Sequence, residues 1–180
     1  MMLIGGGGLG NSSDGGGSGA VTVWYGAAQH VPDSLVVSVS TGSSVNTTVN
    51  YRSASGLIAL LTANAGVNTT GAAAMVANQF TASGFFGSTA GQAGSAGAQT
   101  ASATTFLSGG NNGSSMLSNY GYARPAGQIG GFFMLQPIIV GGGASGDTTL
   151  SGGIGCGSGT NLGGSISNVG GPGLVLIASW

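Results

Sequence analysis

Glutamate and lysine do not occur in this chain, and three aspartates and two arginines carry all its side-chain charge apart from one histidine. Charged residues make up 3% of the sequence, against roughly 25% in an ordinary soluble domain. So little ionisable chemistry argues against catalysis. Two arginines cannot build the basic patch that nucleic acid or an anionic membrane surface requires. There is also too little charge to keep a lone molecule soluble, which points to a homo-oligomer or a larger assembly. Cysteine occurs once, as Cys156. It forms no internal disulfide and no thiolate metal site, and it reads as a small buried residue; a disulfide to a symmetry mate is the alternative. Long apolar runs are missing too. A membrane-spanning helix needs about 20 such residues, and the longest stretches reach about half that. No basic region precedes an apolar stretch near Met1, so no secretory signal is expected. The protein is then either given in mature form or reaches its destination by assembly.

What is abundant is glycine, 40 of 180 residues. A net charge of −1 excludes disorder driven by charge. The apolar residues, 41% of the chain, come in tight runs that suit buried strands and not a solvated linker. One ordered domain spanning 1–180 is expected. Met1 to Ile4 is a short apolar strand that enters Gly5-Gly6-Gly7-Gly8 at once. Residues 20–25 alternate, with Val21, Val23 and Tyr25 on one face. Pro32-Asp33 signals a turn, and strands follow at 35–40, 45–51 and 57–62, giving an antiparallel meander in the first third. Residues 72–79 are the best helical candidate, too short to be stable alone.

The middle, 81–112, is low in complexity and few of its side chains are large. Within it Gly91, Gly94 and Gly97 recur every third residue, the period of polyproline II. Strands are expected at 132–135 and 137–140, and a buried one at 174–180. Glycine clusters at 5–19 and 141–173 flank the terminal strands. Extended glycine segments can approach to backbone contact, so a bundle of them is expected to cap a β-sandwich or jelly roll if the first and last strands pair. Helix content below about 10% follows, well under the usual third.

Several patterns imitate active sites. Gly5, Gly7 and Gly10 match a dinucleotide fingerprint, with Asp33 about twenty residues on, but residues 11–17 cannot open the helix that the motif needs. His30 and Asp33 invite a hydrolytic triad, yet no serine is singled out and the segment reads as a turn. One histidine and three dispersed aspartates do not suggest a metal site. No cofactor, metal or catalytic residue is therefore expected. The sequons at Asn11, Asn46, Asn68 and Asn112 read as polar turns. Aromatics are more informative. Tyr120 and Tyr122 flank Gly121 close to Arg124, and Phe85 and Phe86 sit between glycines. Aromatics on glycine-rich loops make adaptable contact surfaces for protein or sugar, and packing in a core is the competing reading.

Two segments carry a resemblance. An apolar strand runs into glycine over Met2-Leu3-Ile4-Gly5-Gly6-Gly7-Gly8, and the chain closes on Gly170-Gly171-Pro172-Gly173-Leu174-Val175-Leu176-Ile177-Ala178-Ser179-Trp180. This resembles the glycine-rich domains of tailed-bacteriophage tail fibres, adhesins and minor virion proteins. The resemblance implies a β-sandwich body with a polyproline II layer, no shared catalytic residues, and a homo-oligomer, a trimer above all, assembled into a virion in the host cytoplasm. The glycine runs are shorter than in long-run members, and no separate attachment domain precedes them. The implied function is a tail-fibre or tail-tip component contacting a host surface. A capsid decoration protein is the alternative within the particle, and a small hydrolase or ligand-binding module the alternative outside it.

Overall fold

The computed structural model describes residues 1–11, 14–94, 125–131, 134–141, 152–159 and 169–179. Their regular structure is nearly all β. The strands are β1 (Met2–Ile4), β2 (Val21–Gly26), β3 (Val36–Ser38), β4 (Thr47–Ser53), β5 (Gly56–Ala63), β6 (Gly84–Thr89), β7 (Pro125–Gly131), β8 (Met134–Gly141) and β9 (Leu174–Leu176). Two single turns of 3-10 helix, Ala28–His30 and Thr81–Ser83, are the helical content of the described residues. One antiparallel sheet has the order β6-β2-β1-β9, a second the order β3-β4-β5, and β7 pairs with β8.

Alternation decides which residues fill the core. On one face of the first sheet Leu3, Trp24 and Val175 meet Val49 and Leu61 of the second sheet. Leu3, Val49 and Leu61 are fully buried, and each such side chain contributes about 1.5–3 kcal/mol. Thr22 lies on this face too, and its hydroxyl donates to the Thr62 carbonyl at 2.8 Å, tying β2 to β5. The opposite face carries Met2, Ile4, Val21 and Val23, and Ile154 and Cys156 pack onto it. A bulge opposite Val49 and Asn50 leaves Leu60 as the extra residue of β5, and Leu60 is buried.

Trp24 fills a gap left by glycine. Gly26 and Gly84 are cross-strand partners just beyond the Trp24–Phe86 pair. A side chain at Gly26 would meet Cζ2 of the indole at 2.5 Å, and one at Gly84 would meet Nε1 at 3.0 Å. The indole therefore covers the glycine pair, with Phe80 stacked near it at 4.7 Å between centroids.

At one end of the body the strands run on into glycine. β1 continues into residues 5–10, residues 15–20 lead into β2, β6 continues into 90–94, and 169–173 lead into β9. These segments hydrogen-bond to one another through the backbone. Gly5 and Gly8 donate to Ala20 and Gly17; Gly16 and Gly19 donate to Ser158 and Gly155; Gly17 and Ala20 donate to Asn68 and Asn64; Ser18 donates to Gln92. Along residues 16–20 the partner segment thus changes with each residue and recurs every third, which is the turn of a polyproline II helix. Residues 5–8 and 15–19 are buried, surrounded by the other segments. Backbone contact opposes Gly→Ala throughout the bundle: a Cβ on Gly7 would land on the Cys156 carbonyl, and one on Gly157 on the Gly16 carbonyl.

The expected pairing of first and last strands is found as β1 with β9, and the glycine segments pack as a bundle. Other expectations need correction. The meander of the first third is confined to β3-β4-β5, because β2 joins β1 and β6 in the other sheet. Residues 72–79 form no helix; they run beside β5, where the Asn78 amide donates to the Leu60 carbonyl at 3.0 Å and Thr62 N–H donates to Met75 Sδ at 3.2 Å. The low-complexity middle begins with a strand, β6. Of the two strands expected at 132–135 and 137–140, residues 132 and 133 lie outside the described residues and the rest form one strand, β8; β7 was not foreseen. The terminal strand is short and half-buried, and Ile177 is exposed.

Gly157→Ala and Gly7→Ala are each expected to lower stability by about 1–3 kcal/mol, the range for overpacking. Gly155, at φ 71°, should respond likewise to Gly155→Val. Gly87→Ala, whose nearest neighbour is Phe85 Cε1 at 3.9 Å, should stay within about 0.5 kcal/mol of the parent. Urea denaturation of the four variants checks this; equal midpoints would show that the bundle is not close-packed.

Candidate functional site

The strands place two surfaces at opposite ends of the molecule. At the far end of the body, away from the glycine bundle, β2 finishes and β6 begins. Tyr25 and Phe85 stand directly opposite each other there. They lie on the same sheet face as Val23, beyond the part covered by Ile154 and Cys156. Phe85 is 66% exposed and Tyr25 49%. Beside them opens a cleft of about 270 Å³ lined by Met1, Trp24, Tyr25, Val31 and Ile177 among others. The Met1 ammonium donates to the Trp24 carbonyl at 2.7 Å, and burial pushes it below the usual α-amine value. Trp24 Nε1 is buried with no partner among the described residues.

The helical turn Ala28–His30 separates this cleft from a second of about 450 Å³, lined by His30, Pro32, Tyr51, Ile58, Asn78 and Phe80 among others. Asn78 and Thr81 shape its wall through reciprocal bonds: Asn78 N–H donates to Thr81 Oγ1 at 2.8 Å, and Thr81 N–H to Asn78 Oδ1 at 3.0 Å.

The other surface is the tip of the bundle. Asn11 and Asp14 close one turn there, with Asp14 N–H donating to Asn11 Oδ1 at 2.6 Å. Val67 and Thr70 close another, with Asn68 at φ 49°. The chain leaves the described residues at Gly94, beside Gly15, and at Gly159, beside Gly10.

The structure separates the two phenylalanines singled out in the sequence. Phe85 faces outward, whereas Phe86 points to the other side of β6 and packs against the core around Trp24. Tyr120, Tyr122 and Arg124 lie outside the described residues. Tyr25 and Ile177 were read only as strand residues; the signal for Tyr25 was its place at a strand end, on the face opposite Trp24. Gly5, Gly7 and Gly10 belong to the bundle, and no helix follows them. His30 and Asp33 are both exposed, and no side-chain bond joins them. Asn46, Asn68 and Asn11 sit at turns or brace loops, Asn46 Oδ1 accepting from Ala65 N–H at 2.8 Å. Among the described residues no three His, Cys, Asp or Glu side chains gather as metal ligands, and no helix is long and apolar enough to cross a membrane.

No family model, no curated protein and no solved structure matches this chain.

The two phenylalanines give a direct test of the surface. Phe85→Ala should cost less than about 1 kcal/mol, the value of a cross-strand pair. Phe86→Ala should cost about 2–3 kcal/mol, below the figure for a fully buried ring. Thermal unfolding of both variants decides; a Phe85 variant as unstable as the Phe86 variant would make this end a core and not a surface.

Proposed function

We propose that this chain is a non-enzymatic structural protein of a tailed-bacteriophage virion, built into a tail fibre or tail tip that contacts the host surface. The observation that carries the reading is the continuity of four sheet strands with four glycine segments. A body and a bundle joined in this way transmit position and force along one axis. They offer little titratable chemistry, with Asp33 and Arg52 at the body end and Asp14 at the tip. The resemblance to glycine-rich tail-fibre and adhesin domains supplies the particle.

The two ends suit different tasks. Tyr25 and Phe85 form an exposed, uncharged aromatic pair, the composition of a permanent subunit contact. In this reading it docks onto neighbouring virion proteins. The polar turns at Asn11 and Asn68 are exposed, where adaptable contact with protein or glycan belongs. The exposed patch also favours a second reading, a capsid decoration protein that locks onto the shell by the same end. Antibody raised against the purified chain, applied to intact particles with immunogold electron microscopy, should label the tail end. Label over the shell would select decoration. Particles without label would remove the virion reading. In particles that carry the protein, Phe85→Ser combined with Tyr25→Ser should reduce incorporation at least several-fold, since central aromatics dominate interface energy.

A further inference from the structure

Among the described residues each of the two sheets has an open edge on the same side of the body. β3 is an outer strand of the second sheet and β9 of the first. Just past β3, the Ser40 carbonyl accepts from Gly173 N–H at 2.9 Å, and Gly173 immediately precedes β9. Gly170 N–H donates to Ser43 Oγ at 3.2 Å, and Val169 Cγ1 lies against Gly42. These contacts hold the edges side by side. β3 runs toward the bundle and β9 runs away from it, so the two are antiparallel.

This side is apolar, and its two edge strands carry no charge. Val37, Val39, Val45, Val169 and Ile177 are 39–49% exposed. Between Asp33 and Arg52 there is no charged residue, and none follows Asp147. Among the described residues no backbone bond other than those to β4 reaches Val36–Ser38, and none other than those to β1 reaches Leu174–Leu176. Soluble monomers shield such edges with short strands, lysine, proline, bulges or inward charges. β3 and β9 are short, three residues each, but Leu35 to Ser40 carries no lysine, proline or charge.

We propose that this side binds a second copy of the chain, β9 of one copy adding to β3 of the other and the reverse. The occupant follows from hydrogen bonding and charge. An open strand edge takes an extended strand. A charged partner would lose hydration on a surface with no counter-charge, so the fitting strand is uncharged. This chain supplies two such edges, already antiparallel. A two-fold axis along the strands satisfies both pairs at once, closes the interface, and leaves both bundles pointing the same way. This deepens the homo-oligomer reading by naming its surface, and it sets the count at two copies where the family resemblance implies three.

Light scattering of the purified chain at micromolar concentration should give twice the 17.0 kDa chain mass. Val37→Lys and Ile177→Lys should each weaken the pair by roughly tenfold or more, because each places an uncompensated charge in the contact. Val76→Lys, at an 85% exposed position beside β5, should leave it unchanged. Amide hydrogen exchange of the parent gives a readout free of folding defects: residues 36–38 and 174–176 should be protected when concentrated and exchange faster on dilution. A monomeric parent overturns both the pairing and the homo-oligomer reading. An assembly of three copies, one that survives both lysine variants, or edge exchange independent of concentration, overturns the pairing and leaves self-assembly standing.

Discussion

The fold depends on backbone meeting backbone without a side chain between. Residues 5–8 and 15–19 are surrounded by other segments, and their neighbours lie where a Cβ would be. Such an interior contains hydrogen bonds at 2.7–3.1 Å and very little hydrocarbon. It satisfies buried amides by pairing across helices, as a sheet does across strands. The loss of glycine's large conformational freedom is the cost, and it is offset only by the contacts the segments make together and with the body.

That body is what the apolar residues are for. Leu3, Trp24, Val49 and Leu61 clamp two sheets together, and Ile154 and Cys156 extend from the bundle to close the other face of the first sheet. The strand register is passed directly into the bundle, because β1, β2, β6 and β9 continue into it. Trp24 fixes the opposite end by covering Gly26 and Gly84. Hydrophobic and backbone interiors are therefore two ends of one set of chains, each holding the other in register.

How much of this was legible depends on the range of the interaction. Alternation in Val21-Thr22-Val23-Trp24 showed a strand because its period is local, and the spacing of Gly91 and Gly94 showed a three-fold helix for the same reason. β6 was hidden: Gly84, Gly87 and Ser88 resemble linker, and the partner that makes them a strand is β2, about sixty residues earlier. Residues 72–79 have helical composition, but Asn78 and Met75 find better partners on β5. Phe85 and Phe86 were legible as a pair, and only the sheet decides which of them faces out. Tyr25 became a surface residue through the same pairing.

A bundle that admits no side chain also divides the sequence into parts that can and cannot change. Almost any single-base substitution at the first or second position of a glycine codon adds a Cβ, so the buried segments are held to one residue type by packing alone. The exposed residues Asn11, Val67, Asn68 and Thr70, at the turns that close the bundle, lie where that restriction ends. A side chain there meets solvent and not backbone, yet Asn68 keeps a left-handed backbone at φ 49° and its carbonyl accepts from Gly17, so even the turns are tied to the interior they cap.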